Sequence, residues 1–175
     1  MSRKKAGLIL FGLAMMAITG FAALSQQWVT STIAMRLVQS SAGYGPIKAY
    51  WDCDMLHDVV DIDWGSVTSG QRYVRSIFIV NKGNTLLYIC YMPTYFNDTQ
   101  YKFHIECFVH AEGTPCQLNK IIPPPPIPEK EDILANPTLG YKLYPGMMIK
   151  IDIYLTVEMI EIGKAYVIPF EIHGY

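Results

Sequence analysis

An all-β antiparallel sandwich of about seven or eight strands is the fold this 175-residue sequence predicts, and three observations predict it. Apolar and polar residues alternate in run after run, the two-residue period of a half-buried strand. The runs are punctuated by turns rich in Gly and Pro, at the spacing of an all-β domain. Beyond residue 25 almost nothing has helical period. Hydrophobic residues make up 51% of the chain and charged ones 17%, so either the core is rich or part of the chain lies in lipid. A formal net charge of -1 gives no reason to expect nucleic acid as a partner.

Residues 1–24 read MSRKKAGLILFGLAMMAITGFAAL. Arg3, Lys4 and Lys5 precede nineteen residues, Ala6 to Leu24, that carry no charge and one hydroxyl. As a helix they span about 28 Å, close to the hydrocarbon thickness of a bilayer. The segment is expected to enter or cross a membrane, with its basic start in the cytoplasm and everything after residue 25 outside the cell. Three fates fit it: an uncleaved anchor, a signal peptide cut near Gly20-Phe21-Ala22, or a pilin-type leader cut after Lys5 or Ala6 that leaves the apolar helix as a filament core.

Residues 29–38 (VTSTIAMRLV) set Val29, Ser31, Ile33, Met35 and Leu37 on one face, and Trp28, Thr30, Thr32, Ala34 and Arg36 on the other. That suits a half-buried strand, and a continuation of the membrane helix also accommodates it. IKAYWDC and VVDIDW follow as short strands, and Gly65 to Gly70 turns the chain. YVRSIFIVN puts Val74, Ser76, Phe78 and Val80 opposite Tyr73, Arg75, Ile77 and Ile79. Gly83-Asn84 is expected to supply the positive-φ residues of a tight hairpin returning into LLYICYM. YKFHIECFVHA closes at Glu112-Gly113-Thr114-Pro115.

Pro123 to Pro126, with Pro128, interrupt the alternation, because their backbone donates no hydrogen bonds and cannot sit in a central strand. Residues 119–139 therefore read as a surface connection, spacer or contact arm. Strands resume in MIKIDIYLTVEM and YVIPFEIHGY, with turns at Tyr144-Pro145-Gly146-Met147 and Ile162-Gly163-Lys164-Ala165. The organisation is then 1–25 signal peptide or anchor, 26–43 an extended segment and candidate donor strand, and 44–175 a sandwich carrying the proline-rich insertion.

The ordered string AYWDC, VDIDWGSVTSGQ, VNKGNTLLYI, LYPGMMIKIDIYLTV, VIPFEIHG resembles one-domain immunoglobulin-like surface proteins of archaea, secreted or membrane-anchored behind an apolar N-terminal segment. The resemblance covers residues 48–92 and 141–175. It departs at Thr68-Ser69-Gly70, where Pro-Gly is usual, and in the long proline insertion. It implies an immunoglobulin-like sandwich of about seven or eight strands behind a hydrophobic helix, and it implies no activity. More remotely, the layout is similar to fibre subunits of bacterial biofilm matrix and archaeal bundling pili, in which one subunit's N-terminal segment completes the next one's sheet.

Candidate site residues divide into those with a structural reading and those with a chemical one. Cys53, Cys90, Cys107 and Cys116 fit disulfides or buried thiols in an oxidising compartment, since spacings of 37, 17 and 9 contain no Cys-x-x-Cys. Three full pairings are open. Asn97-Asp98-Thr99 is a glycosylation sequon in a polar turn. Asp52, Asp54, Asp58, Asp61 and Asp63 are a weak candidate for Ca²⁺, and solvated strand faces and turn caps account for them better because no EF-hand spacing is present. His104 and His110 share a strand face with Glu106 but stand about 20 Å apart at 3.3 Å per residue, too far to bind one metal. Trp51 and Trp64 are read as core or corner residues, and the 12 tyrosines as possible subunit contacts.

No Gly-x-Ser-x-Gly is present and no Cys has a persuasive His partner, so no catalytic residue and no cofactor is expected. The favoured expectation is an extracellular filament subunit that donates residues 26–40 to a neighbour, with Val29, Ile33, Met35 and Leu37 as contacts. A monomeric, membrane-tethered binding or accessory domain is the second reading. Partners are then other copies of the chain and the membrane, through residues 6–24, with no small-molecule substrate.

Overall fold

The alternating runs form two sheets. The computed structural model describes residues 31–41, 47–92, 96–97, 101–129, 136, 139–161 and 163–175. Within them lie β1 (Ser31–Ser41), β2 (Ile47–Tyr50), β3 (Asp61–Val67), β4 (Gln71–Asn81), β5 (Leu87–Met92), β6 (Phe96–Asn97), β7 (Lys102–Thr114), β8 (Gln117–Lys120), β9 (Tyr141–Leu143), β10 (Met148–Met159) and β11 (Ala165–Gly174). Sheet I has the order β3-β1-β11-β5-β9, and sheet II has β2-β4-β10-β7-β6 with β8 added to β7. Pairing is antiparallel except between β1 and β11. The membrane segment expected at 1–25 lies outside the described residues, and among those described no helix is long and apolar enough to cross a membrane.

Sheet II follows the sequence pattern directly. In β10, Ile149, Ile151, Ile153, Leu155 and Val157 are fully buried, while Lys150, Asp152, Tyr154 and Thr156 between them are partly exposed. β7 repeats this with Phe103, Ile105, Cys107 and Val109 inward. These rows meet Ile62, Trp64, Leu87, Ile89, Phe170 and Ile172 of sheet I in one apolar cluster. Burying each such large side chain contributes roughly 1.5–3 kcal/mol, which is what holds the two sheets face to face.

The Gly83-Asn84 hairpin does not form. β4 and β5 belong to different sheets, and neither Gly83 nor Asn84 has positive φ. The connection is shaped instead by Asn81, which is fully buried. Its Oδ1 accepts from Gly83 N at 2.9 Å, while its Nδ2 donates to Thr85 O at 2.7 Å and to Leu143 O at 2.9 Å. One amide side chain thus turns the chain out of sheet II and ties it to β9 of sheet I. Glycine freedom is used elsewhere, at Gly70 (φ 78) and Gly146 (φ 70), where the sequence places turns.

The proline segment is neither a loose spacer nor an arm. Val109 N donates to Pro125 O at 2.9 Å, Ile127 N to Cys107 O at 2.8 Å and Tyr91 N to Pro128 O at 3.2 Å. Ile127 is buried in the core. The strap lies along the outer edge of β7 between β8 and β6, then reaches β5, so it closes one seam of the sandwich. Its prolines are suited to an edge, because they accept through carbonyls and present no unpaired N–H to a further strand.

Candidate functional site

β1 occupies an interior slot of sheet I and is the sole ladder partner that β3 has among the described residues. On one side it runs parallel to β11 for ten pairs, from Thr32↔Ala165 to Ser41↔Gly174. On the other it runs antiparallel to β3, from Ser31↔Val67 to Arg36↔Asp61. The backbone positions of Met35 and Leu37 fall opposite Ile62 and Phe170, both of which are fully buried. Ile33, the third candidate within β1, stands opposite Gly65 and Tyr166. Val29, the fourth contact candidate, lies outside the described residues.

The slot has a defined shape. The β1–β3 register shifts between Ile33 and Ala34, which leaves Trp64 as the extra residue of a bulge beside Gly65 at φ 66. A bulge of this kind bends the edge and increases its twist. Trp64 is buried and its indole N–H has no hydrogen-bond partner, while Arg75 lies 5.6 Å from its ring centroid. Opposite, β11 pairs with β5 only over Glu171 to Gly174. Tyr175 exchanges both backbone bonds with Tyr88, so odd-numbered residues of β11 direct their backbone groups toward β5. Pro169 thus turns its missing N–H away from β1 and beyond the end of the β5 ladder, which lets an internal strand carry a proline.

The five aspartates are spread rather than gathered. Asp52 caps its own loop, accepting from Leu56 N and His57 N at 3.0 Å each and pairing with His57 Nδ1 at 2.8 Å. The bond from Leu56 N, followed by the contacts with His57, holds its carboxyl below the usual value of 3.8. Asp63 accepts from Gly65 N at 2.8 Å at the bulge. Asp61 and Asp63 face outward on the edge strand β3, where charge discourages a further strand from pairing. Asp58 bridges to Tyr50. Asp54 alone joins a cluster, with Cys53 and Cys116.

Cys53 and Cys116 form a disulfide with Cα atoms 5.0 Å apart. Cys90 and Cys107 remain buried thiols, Cys90 on β5 and Cys107 on β7, so the four candidates yield one bridge. Burial raises the Cys107 thiol well above its ordinary value. The bridge clasps the β2–β3 loop to the β7–β8 hairpin over a satellite cluster of Tyr50, Val80 and Met148 on the outer side of sheet II. Asn97 is in β6 rather than a turn, paired with Lys102. Trp64 is in the core, whereas Trp51 is 38% exposed at the bend that follows β2.

His104 and His110 take separate partners on the outer face of sheet II. His104 lies 3.7 Å from Glu106, which also binds Arg72 at 2.8 Å. His110 Nδ1 is 3.0 Å from Asp152, whose other oxygen accepts from Ser76 at 2.6 Å. With Asp152 in the middle, that trio lacks the hydroxyl–imidazole contact that activates a nucleophile.

Sequence reading missed Glu112 and Tyr141, whose side chains hydrogen-bond between β7 and β9. Glu112 borders two adjoining clefts of about 550 and 490 Å³, which also share Tyr144 and Met147, and Tyr141 lines the second of them. Burial and then Glu112 push the Tyr141 phenol well above its usual value. No local spacing signals this pair, because 29 residues separate its members and only the packing of β9 against sheet II brings them together. Comparison with protein-family models and with curated proteins finds no match to this chain.

Proposed function

We propose that this chain is a non-enzymatic structural subunit at the cell surface, an immunoglobulin-like sandwich that assembles into filaments by exchange of β1. The observation that carries the reading is the place of β1. An N-terminal strand bounded on both sides by ladders is the part of a sandwich that a second copy can supply, because its removal leaves β11 open and β3 without a partner. Donation from copy to copy is heterologous and propagates. Backbone bonds then supply affinity and the row containing Ile33, Met35 and Leu37 supplies fit. The apolar residues 6–24 ahead of β1 would deliver the chain to the outer face of a membrane.

The same place of β1 also supports a second reading. With β1 seated in its own chain, the protein is a self-completed monomer, and residues 1–25 would tether it as an accessory domain of the envelope. Mass spectrometry of the native surface fraction separates the two. A mature start near residues 23–26 on a heat-resistant polymer supports strand exchange, and intact Met1 or Ser2 on a monomer overturns it in favour of the tethered domain.

A further inference from the structure

The loop that joins β2 to β3 is more ordered than a connection requires. Beyond the Asp52 cap, Trp51 N donates to His57 O at 2.8 Å, and Met55 adopts φ 59. None of these bonds uses a sulfur atom, so the loop presents Cys53 and Asp54 independently of the S–S bond. From the other side Cys116 occupies the tight β7–β8 turn at φ 59, fixed by the pairs Thr114↔Gln117 and Gly113↔Leu118. The sulfurs of Cys53 and Cys116 and a carboxylate oxygen of Asp54 all lie within 4.8 Å of one another. Asp54 Oδ1 is 3.0 Å from Cys116 Sγ, and both residues are exposed.

A disulfide makes no use of a carboxylate at that distance. Reduced, the same three groups are two soft sulfur donors and one oxygen donor, a ligand set suited to Zn²⁺ with a fourth position left for water. Tetrahedral geometry with Zn–S near 2.3 Å places the sulfurs about 3.8 Å apart, which rotation of the two cysteine side chains provides. We propose that Cys53, Cys116 and Asp54 form a redox-gated surface site for Zn²⁺, closed while the cysteines are bonded and open when they are reduced. In the opening step a dithiol gives two electrons and two protons to the S–S bond and leaves as its own disulfide. In the binding step Zn²⁺ replaces the two thiol protons, which pass to water, and Asp54 coordinates in its ionised form. In the closing step hydrogen peroxide takes two electrons from the thiolates and two protons from solvent, yielding the disulfide, two waters and free Zn²⁺. The inference stands apart from strand exchange, since the site lies outside β1 and its slot.

The test uses the full chain in detergent, reduced with a water-soluble phosphine, desalted without oxygen and titrated with Zn²⁺ against a chromophoric chelator. Co²⁺ serves as a second probe, because a sulfur-to-cobalt absorption band reports thiolate ligands. One equivalent of Zn²⁺ should bind the reduced chain and none the oxidised chain. Asp54→Asn should lower the affinity tenfold or more, and the double variant Cys53→Ser, Cys116→Ser should abolish binding while keeping the strand signature in circular dichroism. Four results overturn the proposal: reduced protein that keeps its fold but takes up no Zn²⁺, loss of the fold on reduction, Co²⁺ bound without the sulfur band, or binding unchanged in either variant.

Discussion

In sheet II the central strand β10 is bracketed by β4 and β7, which are antiparallel to it and lie between residues 71 and 114. In sheet I the slot between β3 and β11 is filled by β1, which precedes every other strand described and runs parallel to the last of them. Sheet II can therefore close from residue 47 onward, whereas sheet I depends on a segment at the far end of the chain. A parallel pair also needs the whole intervening chain to be in place before its ends can meet. The two sheets share one core, yet one is completed by the first strand described and the other is built from later residues alone.

Removing β1 should have the largest effect. A chain lacking residues 26–41 should lose cooperative unfolding, and a synthetic peptide of residues 26–41 added in trans should restore it, as measured by urea denaturation and peptide fluorescence anisotropy. A chain lacking β10 should show no such rescue by its own missing strand. Rescue of neither deletion would sink the idea that sheet I has an exchangeable strand. Next in size are two core truncations. Phe170→Ala, beneath the β1 slot, should cost about 3–5 kcal/mol, and Ile153→Ala, in β10, about 2–5 kcal/mol. Only the former should also speed exchange of the labelled peptide. Equal exchange rates in the two variants would show that the slot and the shared core are not separable.

How much of this was legible in the sequence follows from how local each feature is. The alternation of MIKIDIYLTVEM and YKFHIECFVHA is a property of neighbouring residues, and it places β10, β7 and their buried rows correctly. The extended character of residues 31–41 was readable for the same reason, but not the parallel partner 133 positions away. Gly83-Asn84 misled because a local turn signal was outweighed by a distant carbonyl, Leu143 O, which Asn81 reaches across the two sheets. The prolines excluded a central strand but did not reveal that their segment hydrogen-bonds to β7 and β5. The pairing of Cys53 with Cys116 and the contact of Glu112 with Tyr141 depend on loops and strands far apart in sequence, and no spacing rule encodes them.

The disulfide sharpens the contrast, because it closes a loop on the sheet II side. Converting Cys53 and Cys116 to serine should cost about 2–4 kcal/mol. It should leave uptake of the 26–41 peptide by the truncated chain unchanged, and altered uptake would mean that the clasp reaches the slot. Asn81→Ala comes next, at about 1–3 kcal/mol, since it leaves unmade the buried bond to Leu143 O and the part-buried bonds to Gly83 N and Thr85 O. Hydrogen exchange should then rise in β9 before it rises in β10, because β9 is the strand that Asn81 ties down.

The smallest effect tests a further tie between the sheets, Tyr141 of β9 against Glu112 of β7. Burial, followed by the hydrogen bond to Glu112, raises the phenol above its ordinary value of 10.0. In the unfolded chain Tyr141 ionises near that ordinary value, while in the folded chain it keeps its proton to higher pH. Unfolding above about pH 10 therefore releases a proton, and stability falls as pH rises through that window, having been fully present below it. Tyr141→Phe removes the group that titrates, so the alkaline decline in urea midpoint should be shallower in the variant. Tyr175 is raised as well and persists in both proteins, so its contribution cancels in the difference. Parallel declines in wild type and variant would show that Tyr141 is as solvated in the folded chain as in the unfolded one, and that its contact with Glu112 does not hold β9 to sheet II.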